Sequence, residues 1–227
     1  MAALRSQWEP LLSANLYGDL FPQDKHSAAT QDMLIPGVDA LLALLNDTCG
    51  NDAVVLSHTD LMLRWCALGM CTRETIGGLL RILLLVATIF EKVRNSEAQL
   101  LDAEAQIIIP HLIDRSGHKN DRARAAFKHC LGAAKGVTSP NKLTSMLLQG
   151  LTSKNKKTRA VCLEEIESIV DASGAAVLGR HGTREIALMA DQKDTDQATR
   201  SAALDVIYKV HVHLKRYLAT YIFCIFC

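Results

Sequence analysis

What most constrains this 227-residue chain is one pattern written three times between Gln106 and Lys209. The copies read IIIPHLIDRSGHKNDRARAAFKHCLGAA from Ile107, LTSMLLQGLTSKNKKTRAVCLEEIESIV from Leu143 and EIALMADQKDTDQATRSAALDVIYKV from Glu185. Each holds an apolar segment, a short polar turn, an arginine and a second apolar segment. The arginines Arg124, Arg159 and Arg200 stand 35 and then 41 residues apart. Periods of this size, without strand-like alternation, predict stacked helical pairs. One pair cannot bury its apolar faces alone, so neighbouring pairs must stack. The expected fold is therefore all-α, an open stack of helical hairpins with no sheet.

Composition agrees. Leu, Ala and Ile supply most of the bulk, with only two Trp, four Tyr and five Phe, which suits helix-on-helix packing. At 49% apolar and 22% charged the chain is not disordered. A formal charge of +1 means that any basic surface must be local. The seven cysteines lie mostly in apolar helical patterns, and no cleavable signal segment opens the chain, so reduced, buried thiols are expected. The apolar runs Ile76–Phe90 and Tyr217–Cys227 are each shorter than the roughly 20 residues that a spanning helix needs.

Along the chain, helices are expected at 31–45, 54–68 and 76–93. A break at Gly69–Thr72 separates the last two, with Thr72 as cap, and Gly77-Gly78 serves close helix approach. Asp102 caps the next helix. The pairs then occupy 103–135, 140–172 and 183–212, with Ser139-Pro140 opening the second, Thr183 capping the third and Asp196 capping its second helix. Residues 1–216 read as one repeat domain, and 217–227 as an apolar tail with no charge after Arg216. Trp65 shares a helical face with Leu61 and Met62 and reads as core. Trp8 fits either a core or a surface.

Enzyme readings fail for want of parts. The chain has no glycine-rich phosphate loop with its lysine, no His and Cys at zinc spacing in one compact segment, and no supportable hydrolytic triad. The expectation is a binding module with no catalytic residue, metal or cofactor. Nucleic acid would need a continuous basic stripe, whereas the basic clusters here are short and separated by acids. The turn at 152–157 carries Lys154, Asn155, Lys156 and Lys157. By charge it is either the best surface for an acidic partner or an ordinary solvated turn. Lys119, Asn120 and Arg122 form a second candidate. Arg124, Arg159 and Arg200 fit a structural role, with stems over apolar surface and heads on loop carbonyls or acids such as Asp121, Asp171 and Asp196.

Residues 55–210 resemble a TOG domain, the HEAT-repeat tubulin-binding module of a family of microtubule polymerases. The resemblance is carried by LMLRWCALGMC at 61–71, IIIPHLIDRSGHKNDRARAAF at 107–127, LLQGLTSKNKKTRAVCLEEIESIV at 147–170 and REIALMADQKDTDQATRSAAL at 184–204. It is nearest to the C-terminal TOG domains of the array and densest at 140–204. It implies an ARM/HEAT-type α-solenoid, a paddle of about six helical pairs, whose intra-repeat loops grip tubulin. The partners implied are α/β-tubulin and microtubules, with other spindle or plus-end proteins, in the cytoplasm at microtubules, spindle, centrosome or spindle pole. The activity implied is a contribution to plus-end polymerisation and spindle organisation. The alternative is a generic helical-repeat scaffold without tubulin binding. Carried onto this sequence, the contact residues are Lys154, Asn155, Lys156, Lys157, Lys119, Asn120 and Arg122, then Thr72 and Arg73 in the second loop and Lys193 and Asp194 in the last. The first loop, near Gln23–His26, lacks the aromatic residue that family members often place there.

Overall fold

The computed structural model describes the backbone of residues 2–21, 28–47, 56–72, 75–193 and 196–226, and the side chains of 5–21, 35–47, 56–71, 75–191 and 196–215. Every element among them is helical. They are α1 (Ala2–Trp8), α2 (Ala14–Leu20), α3 (Ala28–Asn46), α4 (Thr59–Thr72), α5 (Ile76–Asn95), α6 (Asp102–Arg115), α7 (Asp121–Ala134), α8 (Pro140–Gly150), α9 (Lys156–Ser173), α10 (Gly179–Leu188) and α11 (Gln197–Phe226). A 3-10 turn, Ala175–Leu178, precedes α10, and a π-helical turn, Met189–Lys193, follows it. The described chain forms two compact units, residues 1–112 with 119–137, and residues 113–118 with 138–227.

The first unit is built around α5, which packs on α3, α4 and α7. Ten of its residues are buried, among them Ile82, Val86, Ile89 and Phe90, because apolar residues recur there at helical spacing. Its cap is Thr75, in extended conformation, whose Oγ1 accepts the Gly78 amide at 3.4 Å. Thr72, expected as that cap, is instead the last residue of α4. The break expected at Gly69–Thr72 is absent, since α4 runs straight through Gly69. A Cβ on Gly69 would stand 2.7 Å from Ile82 Cδ1, so the missing side chain lets α4 lie close on α5. The contact offsets a helix-propensity loss of about 1 kcal/mol. Of the pair Gly77-Gly78, from which close approach was expected, Gly78 is buried and a Cβ on Gly77 would meet Ile35 Cδ1 at 4.0 Å. Pro36 lies inside α3 and does not break it. Trp65 is 3% exposed, as the periodicity of α4 requires. Trp8 is buried as deeply and meets the Phe21 ring edge-on at a centroid distance of 6.2 Å, which makes it core.

The second unit is built around α9, which packs on α8, α11 and the 3-10 turn. Val161, Cys162, Leu163, Ile166, Ile169 and Val170 are its buried stripe. The helix stops at Gly174, whose φ of +86° is the left-handed region glycine tolerates and whose amide bonds Val170 O at 2.8 Å. Ser139 and Pro140 open α8 as the sequence predicts. Gly150 ends α8 where a Cβ would stand 2.6 Å from both Cys162 Sγ and Ile113 Cγ2. Thr183 is not a cap. It lies inside α10, which begins at Gly179, and its Oγ1 donates to Gly179 O at 2.9 Å. Gly182 reads locally as connector, yet a Cβ there would meet Leu148 Cδ1 at 2.8 Å, so it serves helix packing. The last helix passes its expected end at Val212 and continues to Phe226, and the side chains of the apolar segment 217–227 lie outside the described residues.

Candidate functional site

Three second helices begin alike. Asn120 opens α7, its Oδ1 accepting the Ala123 amide at 3.1 Å. Asn155 opens α9, its Oδ1 accepting the Lys157 amide at 3.0 Å. Asp196 opens α11, its Oδ2 accepting the Thr199 amide at 3.1 Å. A short polar side chain at this position satisfies a helix N–H that has no intrahelical partner. The arginine of each repeat falls four residues after its cap. Arg124 pairs with the Asp121 carboxylate. Arg159 Nη1 donates to Ser153 O at 2.9 Å, the loop-carbonyl role expected of it. Of the other acids expected beside these arginines, Asp171 engages Lys209 Nζ at 2.9 Å and Asp196 engages Lys156 Nζ at 3.0 Å.

The turn between α8 and α9 is braced throughout. The Ser153 amide bonds Gly150 O at 3.1 Å, the Thr152 amide bonds Gln149 O at 3.1 Å, and Ser153 Oγ accepts the Asn155 amide at 3.2 Å. Ser153 O is held by Arg159. Lys154, at the tip, and Lys157, on the first turn of α9, are exposed. Lys156 differs from both. Its ammonium reaches Asp196, whose side chain is only 17% exposed. That hydrogen bond, together with the Thr199 amide, holds the Asp196 carboxyl below the ordinary carboxylate range. Three lysines that look alike in sequence are all exposed, and one of them, Lys156, also ties its turn to the next pair.

This turn is also joined to residues 116–118. Asn155 Nδ2 donates to Gly117 O at 3.0 Å, and the Gly117 amide donates to Thr158 Oγ1 at 3.2 Å. Thr158 Oγ1 donates in turn to Asp114 O at 3.4 Å. Ser116, fully buried, closes its own turn by donating to Ile113 O at 2.8 Å. Thr158 and Thr199, both fully buried, and Gly117 escape sequence reasoning. The available signal was a threonine three residues after the cap in the second and third copies, where the first has Ala123. A polar residue on the core side of an apolar stripe implies a specific partner.

In the first unit, Lys119 and Arg122 are exposed around the Asn120 cap. Thr72 ends α4 and Lys193 ends the π-helical turn, with their side chains outside the described residues. Arg73 and Asp194 also lie outside the described residues, as do Gln23–His26. A groove of about 840 Å³ lies against α8 and α10, lined by Leu148, Leu178, Arg159 and Glu185 among others. Among the described residues no cluster of three or more His, Cys, Asp or Glu can hold a metal ion, and no helix is long and apolar enough to cross a membrane. Cys66, Cys130 and Cys162 are free and buried, and desolvation pushes all three thiols up, the last two to about 12.

Paired helices with side-chain-capped, mutually bonded turns define a HEAT-like helical-repeat module. No family model matches the chain. It is 29% identical to zygote defective protein 9 of Caenorhabditis elegans over 203 residues, which are 89% of this chain and 14% of that protein. It is 28% identical to the mini spindles protein of Drosophila melanogaster over 167 residues, 74% of this chain and 8% of that one. The solved TOG domain of C. elegans Zyg9 superposes with a TM-score of 0.82 at 25% identity, covering 93% of this chain and 76% of that chain. A TOG structure described for its tubulin-binding specificity in microtubule dynamics and mitotic spindle formation superposes at 0.80 with 24% identity, over 93% of this chain and 82% of that chain. In fold and in sequence the chain is similar to the TOG domain modules of Zyg9 and its relatives. It spans about a seventh of the length of the worm relative and less of the fly one.

Proposed function

We propose that this module binds tubulin and microtubules, through the turn at 152–157. The observation that carries the reading is the exposure of Lys154 and Lys157 on a turn whose backbone is already fixed by its own bonds and by its neighbours. A pre-ordered turn loses less entropy when its side chains engage a partner. Two exposed ammonium groups favour an acidic protein surface, speed encounter and set orientation. A similar TOG structure is described for its tubulin-binding specificity, and tubulin is the acidic partner that the family resemblance implies. Asn155 and Lys156 hold the turn in place. Lys119, Asn120 and Arg122 are a second contact region, and Thr72, Arg73, Lys193 and Asp194 complete the set that the family pattern implies. The module is non-catalytic. Its setting is the cytoplasmic microtubule and spindle apparatus, and its part in plus-end polymerisation is as a tubulin-capturing element.

The test is tubulin affinity at low and physiological salt. Lys154→Glu with Lys157→Glu is expected to weaken binding at least tenfold, about 1.4 kcal/mol, with the larger loss at low salt. Lys119→Glu is expected to lose less, and Lys215→Glu, exposed late in α11, to bind like the parent. If the double reversal binds as the parent does, the turn is not the tubulin surface. A parent chain that ignores tubulin leaves the scaffold reading, for which the groove along α8 and α10 is the feature to probe.

A further inference from the structure

We propose that Asn155 and Thr158 are positioning residues of this interface, which act by latching the 152–157 turn to Gly117 of the preceding pair. The proposal rests on the tubulin reading above and adds what sets the geometry of the lysines. A buried backbone group must find a partner. Gly117 is buried, and both of its polar groups are satisfied by one neighbouring turn, its amide by Thr158 Oγ1 and its carbonyl by Asn155 Nδ2. A threonine in the first turn of a helix commonly bonds locally. Thr158 instead reaches across to Asp114 O, one of the last carbonyls of α6, which lacks an intrahelical donor. Asn155 divides its amide, spending Oδ1 on its own helix cap and Nδ2 on the latch. The fit leaves no room, because a Cβ on Gly117 would stand 2.5 Å from both Asn155 Nδ2 and Thr158 Oγ1.

The next pair holds the other side of the same turn. Lys156 Nζ meets Asp196 Oδ1 at 3.0 Å. Thr199 shares its single hydroxyl proton between Asp196 Oδ2 at 3.0 Å and Lys156 O at 3.4 Å. Lys154 and Lys157 thus flank residues gripped from two directions, and their Cα positions are set by neighbouring pairs as well as by local sequence. The first copy has Ala123 at the equivalent position and no hydroxyl to make this bond.

The experiment uses the whole chain with two substitutions. Thr158→Val keeps the shape and removes both bonds of the hydroxyl. Asn155→Ser keeps a capping oxygen and removes only the donor to Gly117 O. Each is expected to speed exchange of the Gly117 amide and to weaken tubulin binding about fivefold, the scale of one lost neutral hydrogen bond, while Thr158→Ser binds like the parent. In either latch variant, adding Lys154→Glu is expected to cost less affinity than it does in the parent chain. A residue that only stabilises the fold would give additive losses. Faster Gly117 exchange with unchanged affinity, or strictly additive losses, overturns the positioning role while leaving the tubulin reading intact. A parent chain without tubulin affinity overturns both. Should Thr158→Val fail to fold, Asn155→Ser decides alone, since its side chain is exposed and its cap survives.

Discussion

Trp65 gives the sharpest test of the packing. It is 3% exposed on α4, on one helical face with Leu61 and Met62, which are also buried. A buried tryptophan takes about 200 Å² out of water. At about 25 cal/mol per Å² the transfer is worth about 5 kcal/mol. Residual burial in the unfolded chain lowers this to about 3–4 kcal/mol. The cavity left behind restores part of the reduction, so Trp65→Ala is expected to cost about 3–5 kcal/mol. Typical domains have about 5–15 kcal/mol in total, so the variant keeps a shallow margin. Leu68→Ala, three residues on in the same helix, provides the internal control. Leu68 is 39% exposed and is expected to cost about 1 kcal/mol or less. The assay is urea unfolding followed by far-ultraviolet circular dichroism, which does not depend on the removed fluorophore. Equal losses for the two variants, or a Trp65→Ala loss under about 1 kcal/mol, would refute the claim that α4 presents this face to the core.

Gly150→Ala places a methyl 2.6 Å from Cys162 Sγ and Ile113 Cγ2 and is expected to destabilise by about 1–3 kcal/mol despite better helix propensity, which thermal melting would register. Brief alkylation of native protein, mapped by mass spectrometry, is expected to label exposed Cys71 and to spare Cys66, Cys130 and Cys162 until denaturant is added. Because Cys130 and Cys162 stay neutral up to about 12 when folded, whereas unfolded thiols ionise near pH 8.5, their contribution is full below that pH. It is lost as pH rises towards 12, so urea midpoints should fall between pH 9 and 10.5, roughly, and fall less in Cys162→Ala. The sign reverses for Asp196: its folded carboxyl is held low by Lys156, so its contribution is present above about pH 4 and lost on acidification. Lys156→Glu should therefore lower stability where Lys154→Glu does not, and pairing it with Asp196→Lys should restore the melting temperature. A swap that restores nothing would show that the ion pair is incidental.

Much of this was legible in the residues. The three-fold pattern predicts α6 to α9 within a residue or two, because start signals such as Ser139-Pro140 lie within one turn of the helix they open and need no distant partner. Arg159 could be assigned to a loop carbonyl for the same reason. The misreadings share a cause. Gly69 reads as a break because glycine lowers local helix propensity, but it lies in a helix where a side chain would strike Ile82. Thr72 and Thr183 look like caps by type, while Thr75 and a start at Gly179 are what the helix ends use.

By itself, then, sequence determined the helical-pair repeat, the Asp196 cap and the basic turn at 152–157, since all three depend on contacts within a few residues. Tertiary structure alone decided which lysine is tied down. Lys154, Lys156 and Lys157 are equivalent as letters, and they separate only because Asp196, forty residues on, stands within 3.0 Å of one of them. It likewise decided that Gly117 must be glycine and that Thr158 faces another pair, because those bonds form between turns that only the stacking of helices brings within hydrogen-bond reach.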